Sequence, residues 1–149
     1  MPLAIEESIL IAAPPERVWK LLADPFGWRF WWPQCKAAAT EDRKPLRDGS
    51  RLELSLQLGF LPLTLRPTVE VAQPGKTLLW VGTGLGVTGR HAFYLEPRPN
   101  GTWIRQRETF EGWGIALFRL FRLDHATVFQ VQFVGARDDV ERQHAAQRE

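Results

Sequence analysis

Arg51-Leu52-Glu53-Leu54-Ser55-Leu56-Gln57-Leu58 places a leucine at every second position and a polar residue between. Successive side chains of a strand point to opposite faces, so this period of two predicts a half-buried strand. Upstream the period is 3.6. Leu3–Ile11 is rich in aliphatic residues and reads as a first strand. Pro14-Pro15 then opens a helix, because a proline at the first turn gives up an N–H that has no partner there. Val18, Trp19, Leu21 and Leu22 form its apolar face, and Asp24-Pro25 ends it. Phe26–Trp32 follows as a short aromatic turn or second helix, closed by Pro33.

Downstream of the leucine strand, Leu61–Gln73 continues as an edge or bulged strand, since it carries Pro62 and Pro67. Thr77–Val81 and Arg90–Glu96 read as strands on either side of the glycine-rich stretch Gly82–Gly89. Arg98-Pro99-Asn100-Gly101 is a turn, and Thr102–Glu111 is the strand after it. Between Gly114 and about Ala145 there is no proline, and Gly135 is the sole interior glycine. At ~100° per residue, Leu117, Phe118, Phe121, Val128 and Phe129 share one face. Arg119, Gln130, Arg137 and Glu141 lie opposite, which predicts a long C-terminal helix, although Val128–Phe133 also alternates like a strand. The expected architecture is α+β, of helix-grip type. A curved antiparallel sheet of about seven strands wraps around the long C-terminal helix, with two short helices after strand 1. Residues 1–149 read as a single domain.

Composition narrows the function. Hydrophobic residues make up 44% and charged residues 24%, which excludes a disordered or fibrous chain. Cys35 is alone, so an internal disulfide and a cysteine-based metal site are excluded. Met1–Glu7 lacks the positive start of a signal peptide, and no apolar run approaches ~20 residues. A cytoplasmic protein without integral membrane association is therefore expected. The net charge is +2, and the 19 cations, 15 of them arginine, are scattered, so no nucleic-acid face is expected. Seven tryptophans are more than a chain of 149 residues needs simply to fold.

Ile9-Leu10-Ile11-Ala12-Ala13-Pro14-Pro15-Glu16-Arg17-Val18-Trp19, Leu22-Ala23-Asp24-Pro25 and Trp31-Trp32-Pro33 together resemble the START-like, birch-pollen-allergen-like superfamily (SRPBCC). Within it, the chain is similar to bacterial proteins of polyketide cyclase/dehydrase type. The resemblance resumes at Gly101-Thr102 and at Glu108-x-Phe110-x-Gly112, and covers nearly the whole chain. It implies a hydrophobic-ligand cavity, in a family whose members range from carriers to cyclases and chaperone activators. It carries over no catalytic residue.

Gly84-x-Gly86-x-x-Gly89 has the letters of a dinucleotide fingerprint, but a strand follows it where the pyrophosphate would need a helix N-terminus. No nucleotide cofactor is expected. His91, His125 and His144 lack ligand spacing, so no metal is expected either. The informative polar residues lie on apolar faces. His91, Phe93 and Leu95 share one strand face; Ile104, Gln106, Glu108 and Phe110 share another. An even-length loop at Pro99-Asn100 pairs Leu95 with Ile104, Phe93 with Gln106 and His91 with Glu108. His125 and Gln132, seven residues apart, project into the Phe121 and Phe129 stripe of the predicted helix.

Two readings of these residues stand side by side: a hydrogen-bonded core network, or an apolar cavity with a few convergent polar groups. In the second, His91, Phe93, Gln106, Glu108, Phe121, His125, Phe129 and Gln132 line the site. Trp28, Trp31 and Trp32 sit at its mouth. The function expected first is carriage or sensing of a hydrophobic or aromatic small molecule. The alternatives are a cyclase- or dehydratase-type enzyme acting on a polyketide-like or lipid-like substrate, with Glu108 or His125 as catalytic base and acid, and an adaptor that binds proteins through Phe26–Trp32. Whether a reaction is catalysed, and the oligomeric state, stay open.

Overall fold

The computed structural model describes residues 3–58, 60–84, 86–116, 137, 141–142 and 144–146. Strand β1 (Leu3–Ile11) leads into helix α1 (Pro15–Ala23), a single 3-10 turn (Pro25–Gly27) and helix α2 (Trp28–Trp31). Seven further strands follow: β2 (Cys35–Thr40), β3 (Leu52–Leu58), β4 (Leu61–Leu65), β5 (Thr68–Gln73), β6 (Thr77–Gly84), β7 (Val87–Arg98) and β8 (Gly101–Glu111). The pairing is antiparallel throughout, in a five-stranded sheet ordered β1-β8-β7-β6-β5 and a three-stranded sheet ordered β2-β3-β4. The fold is thus α+β, with a large antiparallel sheet and few helices.

Three strand assignments differ from the sequence reading. Leu61–Gln73 is two strands, not one. Pro67 has no N–H to donate, and the ladder breaks at Arg66-Pro67. The Pro67 carbonyl instead accepts from Leu52 N at 2.9 Å, and Val69 N donates to Ser50 O at 2.8 Å, so this bend links the two sheets. Cys35–Thr40 is a strand that the period of two does not reveal. Its alanines have low strand propensity, and a bulge between Cys35 and Ala37 breaks the alternation. The described residues therefore hold eight strands rather than about seven. Finally, the strands expected at Thr77–Val81 and Arg90–Glu96 are longer and run into the glycine-rich stretch Gly82–Gly89, which is their hairpin. β6 and β7 pair through it, Gly82 with Gly89 and Thr83 with Thr88, up to the Gly84–Val87 turn. The stretch for which the sequence predicts a long C-terminal helix, with Phe121, His125, Phe129 and Gln132, lies largely outside the described residues.

The inner face of the large sheet carries Ile5, Ile11, Trp80, Phe93, Leu95 and Ile104, all buried. Val18 and Leu22 of α1 pack against it. β8 crosses the end of β1 very closely. Gly101 (φ +146°) lies where a Cβ would fall 2.1 Å from the Ile11 carbonyl oxygen, so no other residue fits there. Next to it Thr102 Oγ1 donates to Ala13 O at 2.7 Å, fixing the entry to α1.

The tryptophans divide by environment. Trp28, Trp31, Trp32 and Trp80 are buried in one cluster, with Trp28 5.1 Å from Trp80 between ring centroids and 5.9 Å from Trp32. Trp28 Nε1 donates to Leu22 O at 3.1 Å, which ties α2 back to the end of α1. Trp19 is partly buried against the same core. Trp103 is half-buried under the Arg98 guanidinium. Trp113 is 79% exposed and lies across Gly86.

Cys35 is buried beside this cluster. Burial pushes its thiol up to about 11, against a smaller opposing pull from a backbone hydrogen bond with Ala37. Only roughly a thousandth of it is thiolate at pH 8. Thiol reagents at pH 8 are expected to label the native protein far more slowly than the urea-unfolded chain; equal rates would contradict this burial. Because the folded value is raised, its contribution to stability holds below about pH 9 and is lost as the pH climbs toward 11.

Candidate functional site

The site is built on the β7–β8 hairpin. Arg98 pairs with Gly101 across the two-residue loop Pro99-Asn100, and the even count sets every pair behind it. Leu95 faces Ile104, Phe93 faces Gln106, and His91 faces Glu108, the register that the loop length predicts. The exposed residues between them, Arg90, Arg105 and Arg107, carry their charges on the outer face. There Arg90 pairs with Glu70 at 3.2 Å, and Arg105 with Glu6 at 3.7 Å.

On the inner face His91 Nδ1 lies 2.7 Å from Glu108 Oε1. The imidazole is held between aromatic rings. Trp80, its partner on β6, is 4.6 Å away between centroids, and Phe93 lies at 4.4 Å in a stacked arrangement. Gln106 is wholly buried one pair further along, between Phe93 on β7 and Glu7 on β1. His91, Gln106 and Glu108 therefore make a short polar row, continued on β1 by Glu7, on a face that is largely apolar.

The row is incompletely satisfied. Among the described residues, His91 Nε2, Glu108 Oε2 and both amide atoms of Gln106 are buried with no hydrogen-bond partner. Each such atom costs on the order of 1–3 kcal/mol when left unmade. The row offers acceptors at Glu108, a donor and an acceptor at Gln106, and an imidazole oriented by a carboxylate. No group of three or more His, Cys, Asp or Glu able to hold a metal occurs among the described residues. Two surface hollows of about 280 and 350 Å³ are lined by neither His91, Gln106 nor Glu108.

The structure thus brings together His91, Phe93, Gln106 and Glu108. Trp28 joins them through Trp80, with Trp31 and Trp32 packed behind it. Those three indoles are core residues; in the same segment Phe30 is 73% exposed and Phe26 partly so. Sequence reasoning passed over Glu7. It sits in the odd-numbered column Ile5, Glu7, Ile9, Ile11, directly opposite Gln106. A carboxylate inside an aliphatic alternation was the available signal. It also passed over Gln34, whose buried Oε1 lies at the α2–β2 junction and, like the buried Nε1 of the candidate Trp31, has no partner among the described residues.

This architecture, an antiparallel sheet with short helices inserted after its first strand, defines the class to which the chain is assigned. Residues 2–136 match the family described as polyketide cyclase / dehydrase and lipid transport, and the chain belongs to that family. Among solved structures it is similar to the Zhui aromatase/cyclase from Streptomyces sp. R1128 (TM-score 0.80, 13% identity, 96% of each chain covered). It is also similar to the di-domain ARO/CYC StfQ of the steffimycin biosynthetic pathway (TM-score 0.79, 14% identity), covering 97% of this chain and 52% of that one. This chain thus spans about half the length of StfQ. Protein MLL2253 from Mesorhizobium loti is similar as well (TM-score 0.71, 21% identity, 93% of this chain and 97% of that one). No curated protein matches. At these identities the likeness establishes the fold alone.

Proposed function

We propose that this chain binds a hydrophobic or aromatic small molecule on the inner face of the β7–β8 hairpin, as a carrier or sensor. One observation carries the reading: four buried polar atoms of His91, Gln106 and Glu108 lack partners among the described residues, on a face whose other side chains, Glu7 apart, are mostly Trp, Phe, Leu and Ile. Buried polar groups are normally satisfied, and an apolar surface with a few convergent polar atoms is the usual form of a small-molecule site. The family description, with its lipid transport, and the aromatase/cyclase relatives support the same reading. His125, Phe121, Phe129 and Gln132 are proposed as the facing wall.

The test is denaturing extraction of natively purified protein followed by mass spectrometry, with uptake of an apolar fluorescent dye in parallel. A stoichiometric small molecule, or saturable dye binding weakened about tenfold in Gln106→Leu, is the expected result. Protein that is empty and refuses the dye would overturn it.

The 2.7 Å contact between His91 and Glu108 favours a second reading, catalysis of cyclase or dehydratase type. An imidazole oriented by a carboxylate is a usable general base toward an enolisable carbonyl. Under that reading Glu108→Gln loses turnover while keeping affinity; under the carrier reading only affinity changes.

A further inference from the structure

We propose that one end of this fold docks on the surface of an anionic lipid bilayer through three displayed aromatic rings. Such docking is independent of what the inner face of the hairpin binds.

Phe30, Phe60 and Trp113 are the most exposed large apolar side chains among the described residues, at 73%, 88% and 79%. They are far apart in sequence, yet the strand register carries all three to the same end. β6 and β7 turn between Gly84 and Val87, and Thr88 pairs with Glu111 at the end of β8, so Trp113 lies over that turn. Thr68 pairs with Val81, Pro67 lies beside Gly82 and Leu65 beside Gly84. β4 therefore runs on past the same turn, and its hairpin with β3 puts Phe60 beyond it. Gln34 O accepts from Gln57 N at 2.8 Å, which brings the end of α2, and Phe30 with it, to the tip of β3.

Charge separates this end from the other. Residues 25–40, 54–58, 60–65, 82–84, 86–89 and 112–116 meet here. Their only charged side chains are Arg29 and Lys36, in a chain that is 24% charged. Glu111, exposed, borders them. The opposite end, at the Pro74-Gly75 turn, helix α1 and the β2–β3 loop, mixes Lys20, Arg47 and Arg51 with Glu16, Glu41, Asp42 and Asp48. Anionic headgroups therefore favour the first end.

The rings stand as separate prongs. Among the described residues no ring pair joins Phe30, Phe60 and Trp113. Trp113 rests on a glycine shelf: a Cβ on Gly86 would collide with its indole, and Gly114 N donates to Gly86 O at 3.1 Å. The exposed indole is thus held outward by a fixed turn. Arg29 lies over the Phe30 ring, 4.8 Å from its centroid. In a headgroup layer such a ring enters the acyl boundary while its guanidinium meets phosphate. A protein partner favours one packed apolar centre with a polar rim, whereas a fluid bilayer admits three separate rings.

The test is co-flotation of the unmodified chain with vesicles of phosphatidylcholine, with and without phosphatidylglycerol. Binding is expected with phosphatidylglycerol and more weakly without it. Each of Phe30→Ser, Phe60→Ser and Trp113→Ser should weaken it about threefold to tenfold. Tyr94→Ser, on the outer sheet face under Arg105, is the control and should bind like the parent. Phe60 lies in a turn at 88% exposure, so Phe60→Ser keeps the test readable if another variant unfolds. Binding that vanishes in molar salt, with the three variants matching the parent, would mean charge adsorption alone and overturn the proposal. A chain that stays off both kinds of vesicle would overturn it too. Self-association abolished by these variants, without vesicle binding, would assign this end to a second copy of the chain and overturn it as well.

Discussion

Trp28→Ala is expected to lower the unfolding free energy by about 3–5 kcal/mol, a large share of what a domain of this size has to lose. The indole is 1% exposed and stands between α1, α2 and the large sheet. Its ring contacts Trp80 at 5.1 Å, Trp32 at 5.9 Å and Trp31 at 6.4 Å, so truncation opens a cavity walled by large rigid rings that cannot collapse into it. The same substitution removes the Nε1 hydrogen bond to Leu22 O and leaves a buried carbonyl at the end of α1. Trp28→Phe keeps a ring and loses that bond, so it should cost visibly less. Urea unfolding, followed by far-ultraviolet circular dichroism, measures both. A Trp28→Ala unfolding free energy within about 1 kcal/mol of the parent's would mean that the aromatic cluster does not anchor α2.

The sequence told more about the hairpin than about the aromatic segment, and the reason is physical. Strand register follows from a strict period of two and a loop length, both local. The count across Pro99-Asn100 was therefore enough to set His91 against Glu108. No local rule says which way a short helix turns. Phe26–Trp32 carries two phenylalanines and three tryptophans within seven residues, and the pattern alone does not divide them. The fold does: Trp28, Trp31 and Trp32 face the core, and Phe30 faces out. The strand at Cys35–Thr40 hid for a different reason. Its pairing with β3 comes from tertiary context, overriding alanines with no preference for it. Glu7 was readable by the same alternation that gave Glu108, since it occupies the inner column of β1. A single polar residue among aliphatics looks like noise until the strand opposite also carries one.

The His91–Glu108 pair supplies the sharpest separation of architecture from function. His91→Leu removes the partner that Glu108 has among the described residues and leaves a buried carboxyl, 4% exposed, facing apolar rings. Breaking a buried pair from one side costs about 3–5 kcal/mol, so this single substitution should be among the most damaging in the sheet. Replacing both members is a different matter. Burying two charged or strongly polar groups costs desolvation that their mutual attraction barely repays, and an apolar pair of similar volume is commonly neutral or stabilising by about 1–4 kcal/mol. His91→Leu/Glu108→Leu should therefore unfold at or above the parent's denaturant midpoint, although one of its components alone is severely destabilising. That non-additivity, read from a double-mutant cycle in urea, says whether the fold needs the pair. A double variant as unstable as His91→Leu would make the pair an architectural element. A double variant that is stable, yet no longer takes up the apolar dye, would show a polar pair that the fold does not need and the ligand does.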